Sequence, residues 1–262
     1  MEAALDRGAE APLPTRPIVS AGKRIDIRSN IIANCELVKE RLGVVDAHDT
    51  VLSLACYGPS LEYTAWEMEG DVMSVSGAHD FLLANGYIPK FHADCDPREH
   101  KARFVANPDT RIQYLMASQS PQSAVRGIVE AGAEIKLWHL DEGAEIRDFL
   151  HGLDESGAYV GGGGSIGHRA LGVAYCLGYR NFHIFGMDCS FTDKTHAGEH
   201  FGRAPSRLNV RCGERTFSTS LVLVEYARQF IQCVNAWGDC TFHIHGDGLL
   251  QAMITEGNRY AN

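Results

Sequence analysis

The eight cysteines of this 262-residue chain never fall as a C-x-x-C pair. The spacing of structural zinc modules and thioredoxin-like redox sites is therefore missing. Cys35, Cys56, Cys95, Cys176, Cys189, Cys212, Cys233 and Cys240 are scattered, several of them inside apolar runs, and read as buried reduced thiols of a cytosolic protein. No apolar run approaches the roughly 20 residues of a membrane span, and no secretory signal opens the chain, so a cytoplasmic protein without a membrane span is expected. Positive charge is also scarce. Lys and Arg number 24 against 33 Asp and Glu, for a formal charge of −9, which argues against duplex DNA as a partner but not against a nucleotide, which needs only a local cradle. There is no G-x-S-x-G elbow and no cysteine placed as a nucleophile, so a hydrolase triad is not expected.

What is present is an ordinary globular composition, 45% hydrophobic and 22% charged, and enough length for one large α/β domain or two small ones. Residues 1–22 carry Ala, Pro and charge without periodicity and read as a flexible N-terminal arm. The rest, 23–262, reads as a single domain. Lys23–Leu42 shows a helical stripe of Ile27, Ile31 or Ile32, Cys35, Val38 and Leu42. Strands are expected at Thr50–Cys56, Val72–Val75, Ile88–Ala93, Ile112–Met116, Ile135–Trp138, Tyr159–Val160, Phe182–Phe185 and Phe242–His245. Helical patterns lie between them, near Leu61–Met68, His79–Asn85, Arg98–Val105, Gln122–Ala131, Ala144–Leu153, Ile166–Leu177 and Leu221–Ala236. This alternation predicts an α/β, Rossmann-like fold: a mostly parallel sheet with helices on both faces. Arg207–Ser218, with Gly213-Glu214 at its centre, predicts a small inserted β-hairpin.

The strongest functional signal is Gly161–Ser165, four glycines and a serine leading into an apolar helix that Gly178 ends. A strand, a glycine turn and a helix amino end form an anion site, because unpaired N–H groups and the helix dipole point outward together. The next strand stops at Gly186-Met187-Asp188, which puts a carboxylate on the same sheet edge. The run is neither the dinucleotide fingerprint nor a P-loop, since no Gly-Lys-Ser/Thr follows. A plain flexible connection is the alternative.

Other strand ends add to that rim. Cys56-Tyr57-Gly58-Pro59-Ser60-Leu61 offers a close backbone approach at Gly58 and a helix start at Ser60, and Ser76-Gly77-Ala78 offers the same. Asp94-Cys95-Asp96-Pro97 sets two carboxylates at i, i+2, suited to sharing Mg²⁺ or Mn²⁺ with a diphosphate; in the other reading Asp96 caps the helix that follows. His92 and His100 flank this pair. Thr195-His196-Ala197-Gly198-Glu199-His200 is a polar loop just past Asp188. His196 is suited to general acid/base work or phosphate contact. Its zinc-like spacing to His200 crosses Gly198 and lacks the HExxH glutamate. His245-Gly246-Asp247-Gly248 closes the last strand, either walling the site or ending the sheet.

Taken in order, Gly58-Pro59-Ser60-Leu61, Gly163-Gly164-Ser165-Ile166 opening a helix to Leu177-Gly178, and Gly186-x-Asp188 with Thr195-His196-Ala197-Gly198 resemble the 6-hydroxymethylpterin diphosphokinase MptE-like family. That group includes the core of the motility accessory factors that glycosylate flagellin. Its layout is similar to that of single-domain bacterial sialyltransferases. Phe217-Ser218-Thr219-Ser220 before a helix extends the likeness, which covers roughly residues 50–254. The resemblance implies a nucleotide bound by the turn at Gly58, the turn of Gly163, Gly164 and Ser165, and Asp188; the strand-end reading adds Ser60 and Gly77. His196 and Asp188 would be catalytic, and Asp94 and Asp96 would hold a divalent cation. In the diphosphokinase branch, ATP and metal deliver diphosphate to a pterin; the family's fuller acidic motif is broken here by Pro97. In the glycosyl-transfer branch a nucleotide-activated sugar is the donor and a histidine, here His196 or His200, is the base. The reading favoured is a nucleotide-dependent transferase of the glycosyl type. Diphosphoryl transfer is its alternative, and a non-catalytic nucleotide-binding or phage-type assembly protein is the alternative of another class. The expected partner is a small-molecule nucleotide donor; the acceptor is not named by the sequence, and a homo-oligomer stays open.

Overall fold

The β-rich runs assemble into one eight-stranded sheet in the computed structural model, which describes residues 24–153, 156–198 and 206–260. The strands are β1 (His48–Ala55), β2 (Asp71–Val75), β3 (Phe91–Asp94), β4 (Gln113–Ala117), β5 (Ile135–Leu140), β6 (Tyr159–Val160), β7 (Tyr179–Phe185) and, after a hairpin, β10 (Thr241–Ile244). Their order is β10-β7-β1-β2-β3-β4-β5-β6, and every pairing in it is parallel. The hairpin is β8 (Leu208–Cys212) with β9 (Arg215–Thr219), antiparallel as expected. The expected N-terminal arm, residues 1–22, lies outside the described residues, as do Glu199 and His200.

The helices are α1 (Arg24–Leu37), α2 (Leu61–Thr64), α3 (Ala78–Ala84), α4 (Gln122–Glu130), α5 (Ala144–Leu153), α6 (Ile166–Cys176), α7 (Leu221–Ala236) and α8 (Leu249–Tyr260). Because successive strand residues point to opposite faces, the sheet is greasy on both sides. Leu52, Leu54, Leu115 and Phe182 form one core with Leu171 and Val173 of α6 and Phe230 of α7. Tyr114, Met116, Ile135 and Leu137 form a second with Ile31, Val125, Ile128 and Leu150. Ala55 and Phe185 form a third with Leu61 and Leu82. All eight cysteines are free thiols, six of them buried. Among the described residues no helix is long and apolar enough to cross a membrane.

Several boundaries differ from the sequence reading. The first helix ends at Leu37, although Val38 and Leu42 are buried as expected. Beyond it the chain runs extended along β5: Leu42 N–H donates to Leu137 O and Leu137 N–H to Glu40 O. A spacing of four serves either conformation, and these sheet bonds decide it. The strand drawn from Ile88 begins at Phe91 instead, since Pro89 has no N–H to give a ladder. Leu61–Met68 is one α-turn followed by a 3-10 turn, Ala65–Glu67, and Arg98–Val105 is a 3-10 helix, Glu99–Val105.

Candidate functional site

The chain leaves β1 toward β2 on one side and returns to its other side through β7. Open α/β sheets bind ligands at such a reversal, beyond the strands' carboxyl ends. A cavity of about 230 Å³ opens there, lined by Tyr57, Gly58, Ser76, the α6 start from Ser165 to His168, Asp188, His196 and Tyr226. Gly58, Ser165, Asp188 and His196 were expected together and are together. Ser76 and Cys189 also line the cavity, and among the described residues they are the two non-glycine positions with positive φ, at 50° and 51°. Such backbone costs about 1–3 kcal/mol per residue and clusters at functional sites.

Asp188 is held from several sides. Its Oδ2 accepts the Ser60 N–H at 2.9 Å. A Cβ at Gly58 would stand 2.4 Å from that oxygen and from Gly186 O, and one at Gly248 would stand 2.5 Å from Asp188 O. Glycine is thus required where the β1, β7 and β10 loops converge on one carboxylate. Burial raises its pKa; the bonds from Ser60 oppose that rise. Asp188 fixes the site's floor and has little surface left for a ligand.

The glycine turn is built more tightly than the sequence suggests. Gly163 takes φ +66°. The N–H of Gly164 donates to Gln229 Oε1 at 2.7 Å. His168 Nε2 lies 3.0 Å from Tyr226 O, a pure acceptor, so this nitrogen carries the proton and Nδ1 accepts from the Ser165 hydroxyl at 2.6 Å. Burial pushes the His168 pKa down to about 4, so the ring is neutral. The Gly164 N–H and the Ser165 hydroxyl are therefore occupied by the protein itself. The first turn of α6 is what faces the cavity, and Ser165 gives it no side-chain cap. His168, Gln229 and Tyr226 were missed, and only Ser165-x-x-His168 carried a sequence signal.

Gly77 is needed for a reason other than ligand approach. A Cβ there would stand 2.4 Å from the Tyr57 ring, and one at Gly198 would stand 2.5 Å from the Tyr57 hydroxyl oxygen. These glycines seat Tyr57. Its ring lies 5.1 Å from that of His196, whose Nδ1 is 3.0 Å from Thr195 Oγ1. Phenol and imidazole thus stand side by side on the cavity wall.

Asp94 and Asp96 stand outside the lining. Asp94 Oδ1 accepts the N–H groups of Cys95 and Asp96, at 2.7 and 3.2 Å. Asp96 accepts the Arg98 N–H at 3.1 Å and pairs with the Arg98 guanidinium, Nε to Oδ1 at 2.8 Å. The i, i+2 spacing thus serves two turns and an ion pair. His92 is buried against Ser74 Oγ at 3.0 Å, and His100 is exposed. Burial lifts the Asp94 pKa to about 6, against the pull of its two backbone donors. For a carboxyl whose native pKa is raised, the native state holds the extra proton, so stability falls as pH rises from about 4 to 6. Asp94→Asn keeps the Oδ1 acceptor and removes this loss. It is expected to match wild type at pH 4 and exceed it by up to about 3 kcal/mol at pH 8. Urea melts at both pH values check this, and an Asn variant weaker at pH 8 would refute it.

Residues 33–194 match the model of a family described as 6-hydroxymethylpterin diphosphokinase MptE-like. The chain belongs to the MptE-like family. The MptE-like match takes in β1 to β7, with Tyr57, Gly58, Ser165 and Asp188, and ends two residues before His196. The chain is also similar to a solved MAf glycosyltransferase from Magnetospirillum magneticum AMB-1, with a TM-score of 0.61 at 11% identity. That likeness covers 90% of this chain and 42% of the other. The chain therefore spans less than half the length of that enzyme, and what the two share is the fold. No curated protein matches the sequence.

Proposed function

We propose that this MptE-like protein is a nucleotide-dependent transferase that moves a glycosyl group from a nucleotide-activated sugar to a hydroxyl acceptor. The carrying observation is the switch-point cavity itself. Its lining brings the uncapped first turn of α6 together with Tyr57 and His196, while Asp94 and Asp96 lie outside it and are engaged elsewhere. In this reading the donor's phosphate sits at the α6 amino end, where N–H groups and dipole favour negative charge. Tyr57 and Tyr226 flank the donor. His196 takes the acceptor's proton as the acceptor oxygen bonds to the anomeric carbon, and the sugar–phosphate bond breaks. The nucleotide leaves with the electron pair, and its added charge is met at the helix end.

The family's description favours diphosphoryl transfer as the second reading, which requires a divalent ion on the donor phosphates. The two separate in a calorimetric screen of CMP, UDP, GDP and ATP, with and without Mg²⁺. Binding of a nucleoside mono- or diphosphate that ignores Mg²⁺ and survives Asp94→Asn is the expected result. ATP binding that depends on Mg²⁺ and is lost in Asp94→Asn would replace glycosyl by diphosphoryl transfer. Failure of every nucleotide to bind would refute both and leave a non-catalytic protein.

A further inference from the structure

A serine already paired with a base stands at the start of α6, contrary to the expectation from sequence. Gly163-Gly164-Ser165-Ile166-Gly167 does carry the G-x-S-x-G spacing. It lies where that motif acts, between a strand, β6, and a helix, α6. The backbone is not that of the strained elbow: Ser165 is extended, with φ −127° and ψ 159°, and positive φ falls on Gly162 and Gly163 instead. The serine nevertheless lines the cavity, together with Ile166, Gly167 and His168.

Ser165 Oγ lies 2.6 Å from His168 Nδ1, and His168 Nε2 gives its proton to Tyr226 O at 3.0 Å. A nucleophile bonded to a base, with the base held by a third group, is the arrangement of covalent catalysis. Here a backbone carbonyl stands where a carboxylate orients the ring in serine hydrolases. Burial keeps the ring neutral, so Nδ1 holds its lone pair toward the hydroxyl. The N–H groups of Ile166 and Gly167 open the helix and have no carbonyl within it to bond. In the G-x-S-x-G motif the residue after the serine supplies an oxyanion donor. Ser165 Oγ lies over this turn, 3.6 Å from a Cβ built on Gly167. Two thiols share the lining, those of Cys56 and Cys189. Burial pushes the first up to about 12 and the second up as well, so neither competes as a thiolate.

We propose that Ser165 is the nucleophile and His168 the base of an acyl-transfer site for short carboxylic esters, with the Ile166 and Gly167 N–H groups as oxyanion donors. Cys56, Val75, Met187 and Leu223 give the cavity of about 230 Å³ an apolar part suited to a small acyl chain. Ser165 Oγ bonds to the ester carbonyl carbon while its proton passes to His168 Nδ1. The alkoxide leaves with its electron pair and takes that proton. Water then cleaves the acyl-serine by the same steps, releasing the acid and restoring the hydroxyl. No nucleotide enters, so this activity stands or falls apart from glycosyl transfer.

The test incubates the full chain with a fluorophosphonate, maps the adduct by peptide mass spectrometry, and separately follows hydrolysis of p-nitrophenyl acetate. A single adduct on Ser165 is expected. Ser165→Ala, with circular dichroism verifying the fold, should lose the adduct and slow hydrolysis by about 10²- to 10⁴-fold. His168→Gln should slow labelling and hydrolysis by a similar factor; should the buried site not tolerate it, the adduct's position and Ser165→Ala still decide. No adduct, an adduct confined to other residues, or hydrolysis unchanged in Ser165→Ala would overturn the proposal. A folded His168→Gln that is labelled at the wild-type rate would overturn it equally.

Discussion

His196→Ala is expected to lower transfer turnover by about 10²- to 10⁴-fold while leaving nucleotide affinity nearly unchanged. His196 lines the cavity, and in the proposed mechanism it meets the acceptor and not the donor phosphate, so its loss removes a proton acceptor and not a binding contact. Imidazole is the side chain that takes up and returns a proton near neutral pH. The ring also packs 5.1 Å from Tyr57, and an alanine would disturb that neighbour. His196→Phe keeps the aromatic contact without the base and is expected to lose turnover as fully as alanine. The readouts are kcat and the acid limb of its pH profile, taken beside calorimetric affinity. A phenylalanine variant that retains turnover would reduce His196 to a support for Tyr57 and remove the base from the mechanism.

The parts of this molecule legible in the sequence are those governed by short periods. Leu221–Ala236 was read to its observed ends, because its apolar residues repeat at helical spacing and Ser220 caps Leu223 N–H. The alternation of strands and helices likewise gave the parallel sheet, and strand-end glycines gave the rim. What was not legible is which partner fills a glycine's empty space. At Gly77 that partner is Tyr57, and at Gly163 it is His168; both look the same in sequence as a glycine making room for phosphate. Asp94-x-Asp96 is ambiguous in sequence for a related reason. Two carboxylates at that spacing serve a metal or two consecutive turns equally well, and Arg98 decides between them. Gln229, which occupies the Gly164 N–H from 65 residues away, left no local trace at all.

Gly163→Ala should destabilise the protein by about 2–5 kcal/mol. Two costs combine. Alanine at φ +66° carries the left-handed penalty of about 1–2 kcal/mol, and its Cβ would stand 2.2 Å from the His168 Cβ, a distance no side-chain rotation relieves. Overpacking of that kind costs about 1–3 kcal/mol. Gly132 separates the two, since it has φ +73° and nothing within 4 Å of a built Cβ. Gly132→Ala should therefore lose only the backbone share, and the difference between the variants' urea midpoints isolates the clash. Against a total stability of about 5–15 kcal/mol, the Gly163 loss is large enough to leave part of the protein unfolded at ambient temperature. The surviving folded molecules must move His168, and with it the bonds to the Ser165 hydroxyl and Tyr226 O that set the cavity wall. Nucleotide affinity per folded molecule should fall as well in Gly163→Ala and stay at the wild-type value in Gly132→Ala. Equal losses of stability at the two positions would show that the turn yields to a methyl group, and that His168 does not fix its shape.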